Sequence, residues 1–304
     1  MSLLVAGTIA IDNIKTPVAD EKGLLGGSAA YAALSASFFH QPVHLVGIVG
    51  QDFPEAHLEM LQGKGVDLGG LERSSGESFF WAGEYFDNMN QRKTLEVSVN
   101  VLESWQPKIP PALQASSHVV LANMSPENQM QVLDQLTGEP FVVADTMDLW
   151  MEIAKDRLLD VLQRIDLLVL NDSEARLLAG TNNLIVAGAR LQGMGPAKVI
   201  IKLGEHGCFL FGEGEHEFFS CAAYPLKGVE DPTGAGDTFL GGLIGHLAAQ
   251  GSHQPSFTEL KQACVHGTIM ASFTCEEFST RKLEEIALGQ VQARLNRFRE
   301  YTAF

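Results

Sequence analysis

The chain has 304 residues, 45% of them hydrophobic, which is enough for a sizeable core in one large α/β domain or two smaller ones. Its 21 Lys and Arg against 37 Asp and Glu give a formal net charge of −16. This acidity argues against nucleic acid and anionic membranes as partners, because both need a basic face on the protein.

Short apolar runs alternate with helical patterns over the first two thirds of the chain. The predicted strands are Leu3–Ala6, Val43–Val49, His118–Leu121, Phe141–Ala144, Leu167–Leu170, Val199–Lys202 and Cys208–Phe211. The predicted helices are Ser28–Phe39, Pro54–Lys64, Pro126–Leu136, Leu149–Arg164, Asp172–Ala179, Asn183–Met194, Ala235–Ala249, Phe257–Thr274 and Leu283–Glu300. Strands that are apolar throughout and separated by helices predict a mostly parallel sheet covered on both faces.

Residues 72–102 interrupt this alternation with two aromatic-rich strand patterns around a polar turn. Ile9–Val18 is a further extended piece. The aromatic side chains favour a buried face, which a sheet edge, a lid or a dimer contact would supply. Without internal repeats or a Pro/Ser-rich linker, the sequence predicts one domain over residues 1–304 with a projection built from two segments.

Four cysteines occur without a Cys-x-x-Cys pair, and the first basic residue is Lys15. No apolar run reaches the ~20 residues that span a bilayer. We therefore expect a cytoplasmic protein with reduced thiols, whose N-terminus is a buried strand rather than a signal peptide.

The run Gly234-Ala235-Gly236-Asp237 carries the most chemical information, and an apolar, Gly-rich helical stretch follows it. Backbone N–H groups at a helix start bind anions, and Asp237 lies in the first turn beside them. A carboxylate is repelled by bound phosphate, so its presence needs a reason. Accepting the proton of an attacking hydroxyl is such a reason. The alternative is an ordinary helix N-terminus in which Asp237 only complements the helix dipole.

Residues 229–239 closely resemble the C-terminal signature of the ribokinase (PfkB) family of carbohydrate and nucleoside kinases. The run 234–237 matches without departure, and Pro232 stands where Thr is common. The resemblance implies a ribokinase-like three-layer α/β/α sandwich with a small β-sheet lid at about residues 9–18 and 72–102. It also implies that Gly234, Ala235 and Gly236 form an anion hole and that Asp237 is the catalytic base.

The acceptor side of the resemblance rests on Asp12 and on the run that begins at Gly26-Gly27. Asp12 follows the first strand, where a side chain faces the ligand crevice of a parallel sheet. The family binds its acceptor with an Asp at this spacing, although an isolated Asp there would read as a turn residue. Ser28 also reads as an ordinary N-cap. Tyr31 departs from the family's usual Asn, and its ring would suit an acceptor with a flat ring.

The nucleotide side rests on two more motifs. Asn171 and Glu174 match the family's Asn-x-x-Glu motif, which implies Mg²⁺ held through water, and they also read as a capping box. The turn with Gly204 and Gly207 implies a nucleotide contact, and Lys202 could reach a phosphate. The predicted helix at 257–274 should flank adenine, but Gly267 stands near the position of a frequent family Asn.

Thr233 is expected beside the nucleotide phosphates. Many relatives bind K⁺ at positions corresponding to Asp231 and Thr233, so K⁺ is a candidate cofactor beside ATP and Mg²⁺.

The sequence therefore predicts an ATP-dependent kinase. A sugar or sugar acid is the first choice of acceptor and a nucleoside the second, and a homodimer through the lid is the candidate assembly. A non-catalytic nucleotide or sugar sensor is disfavoured because it needs no Asp237. An NAD-dependent oxidoreductase lacks the Gly-x-Gly-x-x-Gly run after its first strand.

Overall fold

The computed structural model describes residues 1–214 and 216–303. Its centre is a nine-stranded sheet with the order β13-β12-β11-β10-β9-β8-β1-β4-β5. The pairs from β10–β11 to β4–β5 are parallel, and β12 and β13 are antiparallel to their neighbours. The strands are β1 Leu3–Ala6, β4 Val43–Val49, β5 Val66–Arg73, β8 His118–Leu121, β9 Phe141–Asp145, β10 Leu167–Asn171, β11 Lys198–Lys202, β12 Cys208–Phe211 and β13 Phe218–Cys221.

Helices cover both faces of this sheet, which confirms the predicted three-layer arrangement. Alternate residues of β1 enter different cores, Leu3 and Val5 on one face and Leu4 and Ala6 on the other. The helices are α1 Ser28–Ala36, α2 Glu55–Gly63, α3 Pro126–Gln135, α4 Asp148–Ile153, α5 Lys155–Leu162, α6 Asp172–Ala179, α7 Leu184–Gln192, α8 Ala235–Gln250, α9 Phe257–Thr274, α10 Arg281–Glu285 and α11 Leu288–Thr302. Within the described residues, no helix is both long and apolar enough to cross a membrane.

A second sheet, called the small sheet below, has the order β3-β2-β6-β7. Its strands are β2 Ala10–Lys15, β3 Asp20–Gly26, β6 Phe79–Tyr85 and β7 Arg92–Ser98. β6 and β7 form the predicted antiparallel hairpin, and β2 joins the two segments by pairing parallel to β6. Tyr85 is buried against Ile14, Leu24 and Phe278. The aromatic residues of the hairpin are therefore partly buried by other residues of the same chain.

Several element boundaries differ from the predicted ones. The predicted helix at 149–164 is divided at Ala154, which has a non-helical conformation, and the predicted helix at 283–300 is divided between Glu285 and Leu288. Ser28 is not an N-cap; Gly27 is, with φ +89°, and Ser28 begins the helix. The strands β3, β5 and β13 were not predicted, because they lie at sheet edges and alternate polar with apolar residues, as β5 does.

Two stacked histidines lie where α8 packs against α9. The ring centroids of His246 and His266 are 3.7 Å apart, and the angle between the ring planes is 10°. The ring of Phe39 contacts both histidines edge-on. His246 Nε2 is buried without a hydrogen-bond partner among the described residues. Burial, together with the neighbouring His266, lowers the pKa of His246 to about 4, and burial lowers the pKa of His266 as well. The folded protein therefore keeps this pair neutral.

We expect this pair to limit stability in acid. An unfolded histidine binds a proton near pH 6.5, whereas the folded His246 resists it, so stability falls as the pH drops from about 6.5 towards 4. His246→Phe should flatten the loss of Tm between pH 7 and pH 5. The exposed His206, replaced by Phe, is the control and should leave the wild-type slope unchanged. An unaltered slope in His246→Phe would show that other groups set the acid limit.

Candidate active site

The N-terminus of α8 offers an anion-binding turn at the carboxyl edge of the large sheet. Gly234 is the N-cap with φ +74°, a conformation that favours glycine. The Ala235 N–H donates to the carbonyl of Pro232 at 3.2 Å, and the Thr238 N–H reaches the carbonyl of Gly234 at 2.7 Å. The N–H groups of Gly236 and Asp237 lie between them in the first turn, where a helix has no internal acceptors for them. These two donors are therefore the ones best placed for an anion.

Lys202, at the end of β11, brings a positive charge to this turn. A Cβ placed on Gly236 would lie 2.9 Å from Lys202 Nζ, so the ammonium lies directly against the backbone of this turn. Lys202 Nζ also lies 3.5 Å from Asp145 Oδ2. The sequence reasoning missed Asp145, although it ends β9 at the same edge of the sheet as Lys202 and Asn171 end their strands.

Asp237 lies partly buried in the first turn of α8. Burial raises its pKa to about 7, with the nearby Asp145 adding to the rise, while Lys202 and Arg92 lower it. A carboxyl group with a pKa near the working pH is well matched to accept a proton during a reaction. Environment alone thus gives Asp237 the property that a general base needs.

Asn171 and Glu174 form the capping box at the start of α6. Asn171 Oδ1 accepts from the Glu174 N–H at 2.9 Å, and Glu174 Oε2 accepts from the Asn171 N–H at 2.8 Å. Burial, with the nearby Asp145, raises the pKa of Glu174 to about 7. Two neighbouring buried carboxylates would be stabilised by a cation, so Glu174 and Asp145 fit Mg²⁺.

The described residues contain no cluster of three or more His, Cys, Asp or Glu arranged to hold a metal ion. This agrees with how Mg²⁺ is usually bound, through one or two carboxylates together with water and substrate phosphates.

Asp12 and Tyr31 each carry a buried polar atom that has no hydrogen-bond partner among the described residues. These atoms are Asp12 Oδ1 and the Tyr31 hydroxyl oxygen. A Cβ on Gly26 would lie 2.1 Å from the Asp12 carboxyl carbon, and one on Gly234 would lie 2.4 Å from the Tyr31 ring. Tyr31 therefore packs beneath the anion-binding turn. Burial and the charges of Asp231 and Asp12 raise the pKa of Tyr31 well above its usual value, so its hydroxyl stays protonated and can donate.

The small sheet extends the predicted ligand crevice with an apolar surface. Asp12 pairs with Trp81, and Trp81 pairs with Val97, so the three side chains lie in one row on the same face of the small sheet. Val97 is 50% exposed and Asp12 is 4% exposed. A molecule bound along this row would meet a carboxylate at one end and an indole and a valine at the other.

Asp231 joins the anion-binding turn to the segment after α9. Its Oδ1 accepts from the Thr233 N–H at 2.8 Å, and its Oδ2 accepts from the Ser279 N–H at 3.0 Å. Thr233 Oγ1 lies 3.2 Å from the hydroxyl of Tyr85 on the small sheet. Burial raises the pKa of Asp231. Asp231 thus links Thr233, the residue before the anion-binding turn, to Ser279 after α9.

The turn between β11 and β12 contains the two predicted glycines. Gly207 has φ +93°, and a Cβ there would lie 1.9 Å from the carbonyl oxygen of Cys221. Gly204 begins a short 3₁₀ turn, and His206 in that turn is exposed. Gly267 is buried between α8 and α9, where a Cβ would lie 2.6 Å from the Phe239 carbonyl oxygen. Close helix packing therefore excludes an Asn at this position.

Unpaired N–H groups and a carboxylate in the first turn of a helix, with a lysine from a neighbouring strand, are components typical of a phosphotransferase site. The model of the pfkB family of carbohydrate kinases matches residues 12–287, and the chain belongs to this family. The protein is a sugar or nucleoside kinase, which confirms the class predicted from the signature.

Three relatives illustrate the similarity. The cytidine kinase of Thermococcus kodakarensis is 28% identical over 248 residues, covering 80% of this chain and 87% of the relative. A Burkholderia thailandensis nucleoside kinase solved with inosine is 16% identical with a TM-score of 0.77, covering 100% of this chain and 99% of the other. An E. coli protein solved with ATP and Mg²⁺ under the name ribokinase II is 17% identical with a TM-score of 0.79, covering 97% and 99%. The two solved structures share the ribokinase-like fold.

We expect Asp237→Asn to be more stable than the wild type at pH 8. The pKa of this carboxyl rises from 3.8 to about 7 on folding, so the folded state loses stability as the pH rises through that interval. The amide cannot ionise and avoids this loss. Tm measured at pH 5 and pH 8 should show an advantage for the variant that grows with pH. The exposed Asp87, replaced by Asn, should show no such trend; a variant that is less stable at pH 8 would contradict the assignment.

Proposed function

We propose that the protein transfers the γ-phosphoryl group of ATP to a hydroxyl of a nucleoside, with Asp237 as the base. The observation that carries this proposal is the position of Asp237 beside the Gly236 N–H and the Lys202 ammonium. Proximity of a proton acceptor and phosphate-binding groups is what phosphoryl transfer requires.

In the proposed reaction, the acceptor hydroxyl gives its proton to the Asp237 carboxylate while its oxygen forms a bond to the γ-phosphorus. The bond from that phosphorus to the bridging oxygen breaks, and ADP leaves with the electron pair. The N–H groups of Gly236 and Asp237, together with Lys202, stabilise the charge on the transferred group. Mg²⁺, when bound near Glu174 and Asp145, would neutralise phosphate charge. Asn171 orients Glu174 through the capping box.

A nucleoside is favoured over the sugar or sugar acid that the sequence placed first. The row of Asp12, Trp81 and Val97 matches the two halves of a nucleoside, with ribose hydroxyls at the carboxylate and a flat base against the indole. The relatives named for cytidine and nucleoside phosphorylation support the same choice. In this proposal the small sheet acts as a lid that keeps water from the reacting phosphate.

Two further features stay predictions. The buried carboxylate of Asp231 would be stabilised by a cation such as K⁺, which an exchange of Na⁺ for K⁺ at constant ionic strength would test. Leu95 and Val97 on the edge strand β7, and Val99 just after it, are about half exposed, which would suit a homodimer through the small sheet. Light scattering of the wild type and of a Leu95→Lys variant would test that assembly.

Asp237→Asn should abolish most turnover while the protein stays folded. We expect a screen with ATP to show turnover for nucleosides, cytidine included, and less for ribose and sugar acids. With the best acceptor, the variant should lose about 10²- to 10⁴-fold in kcat, the usual range for a general base, and should keep its ATP affinity. Near-normal turnover of the variant would refute the role of Asp237. Nucleotide binding without turnover of any acceptor would instead support a sensor.

Asp12→Ala should weaken acceptor binding and leave ATP binding unchanged. The variant removes a charged hydrogen-bond acceptor, so a loss of about 1.5–3 kcal/mol is expected. Calorimetry with the best acceptor and, separately, with an ATP analogue measures the two affinities. Asn13→Ala on the same strand is the control, because its side chain accepts from the Gly23 N–H outside the crevice. Equal acceptor affinity in Asp12→Ala and the wild type would reject this role.

A further inference from the structure

The tip of the β6–β7 hairpin contacts the turn between β11 and β12, called the nucleotide turn below. A lid that only covers the acceptor would not need this contact. Asn90 Nδ2 lies 3.4 Å from Glu205 Oε1, and a Cβ on Gly204 would lie 3.4 Å from Asn90 Oδ1. The Asn88 side chain orders this tip by accepting from the N–H groups of Asn90 and Gln91. The hairpin thus meets the body at the turn on which the family places its nucleotide.

A second contact holds the base of the same hairpin near the anion-binding turn. The hydroxyl of Tyr85 lies 3.2 Å from Thr233 Oγ1, and Tyr85 is buried. Arg92 pairs with Tyr85 across the hairpin, so the two side chains share a face. The contacts at Tyr85 and Asn90 therefore bracket Arg92 between the anion-binding turn and the nucleotide turn.

The site has more negative than positive side chains, so a further cation such as Arg92 would be stabilised there. The site gathers four buried carboxylates and one partly buried carboxylate, and Lys202 is the ammonium among them. The buried carboxylates are Asp12, Asp145, Glu174 and Asp231, and the partly buried one is Asp237. ATP adds further negative charge to this crowded region. Arg92 is exposed and has no carboxylate within 4.0 Å in the part of the chain that the structure describes, whereas Arg73, Arg157 and Arg294 are each paired.

We propose that Arg92 is a second cation of the phosphoryl-transfer site, carried by the small sheet and directed at the γ-phosphoryl group by the Tyr85 and Asn90 contacts. The charge of Arg92 already reaches Asp237, whose pKa it lowers. A guanidinium suits this task because its fork of donors matches phosphate oxygens. The inference rests on the proposed function, and it makes closure of the small sheet part of the chemical step.

The matched pair for testing is Arg92→Gln and Lys93→Gln. Lys93 is the next residue on β7, points to the opposite face and pairs with Glu84. Arg92→Gln should lower kcat about 10²-fold, as the loss of one charge-stabilising donor does, with acceptor KM changed less than about threefold. Arg92→Lys should recover part of the rate. Lys93→Gln should behave as the wild type.

Two readouts separate this role from a merely structural one. The acidic limb of the kcat/KM profile should move to higher pH in Arg92→Gln, because burial and Asp145 raise the pKa of Asp237 and one of the two positive charges that lower this pKa is then lost. Without any acceptor present, affinity for a non-hydrolysable ATP analogue should fall about tenfold in Arg92→Gln while ADP affinity is unchanged.

The same measurements can overturn the inference. An effect of Arg92→Gln that is confined to acceptor KM would mean that Arg92 binds an anionic acceptor. An equal loss of kcat in Lys93→Gln would mean that any loss of positive charge on β7 has the same effect. Unchanged binding of the ATP analogue would also refute it. Wild-type protein that turns over no acceptor, but binds the analogue in an Arg92-dependent way, would sink the proposed function and leave this inference standing.

Discussion

The close packing of α8 against α1 and α9 is the constraint on which the site depends. A Cβ on Gly241 would lie 2.1 Å from the Ala32 carbonyl oxygen, and one on Gly245 would lie 2.7 Å from Ala36. Between α8 and α9, a Cβ on Gly242 would lie 2.8 Å from the Met270 side chain, and one on Gly267 would lie 2.6 Å from the Phe239 carbonyl oxygen. Because backbones approach without side chains between them, α8 has little freedom to slide. The Ser35 hydroxyl donates to the carbonyl of Thr238, the residue after Asp237, at 2.7 Å.

Much of the fold was readable because its central strands are buried on both faces. Such strands must be apolar throughout, so β1, β4, β8, β9, β10 and β11 stand out in the sequence. The edge strands β3 and β13 keep contact with water and carry no such signal. The break at Ala154 was also unreadable, because alanine favours helix and only the surrounding packing divides α4 from α5.

The candidate site could be predicted from the sequence where its glycines and polar residues form a local motif. Gly234 to Asp237 and Asn171 with Glu174 are local motifs, so one sequence suffices to find them. In the proposed site, Asp145 and Arg92 come together only because strands that are distant in sequence converge there. Their sequence neighbours are those of an ordinary strand end and an ordinary hairpin, and nothing local marks them. The family match supports the class of enzyme, whereas the acceptor still depends on the row formed by Asp12, Trp81 and Val97.

The connection between β3 and α1 ties the two ends of the crevice together. β3 ends at Gly26, Gly27 turns the chain with φ +89°, and α1 begins at Ser28 and carries Tyr31 against Gly234. The small sheet and the floor of the phosphate site are thus consecutive parts of one short stretch of backbone. A rotation of the small sheet about Gly27 would move α1, whose Tyr31 contacts the anion-binding turn. Such a rotation would couple the position of the small sheet to the geometry of the phosphate site through the five residues from Gly27 to Tyr31, without passing through the core.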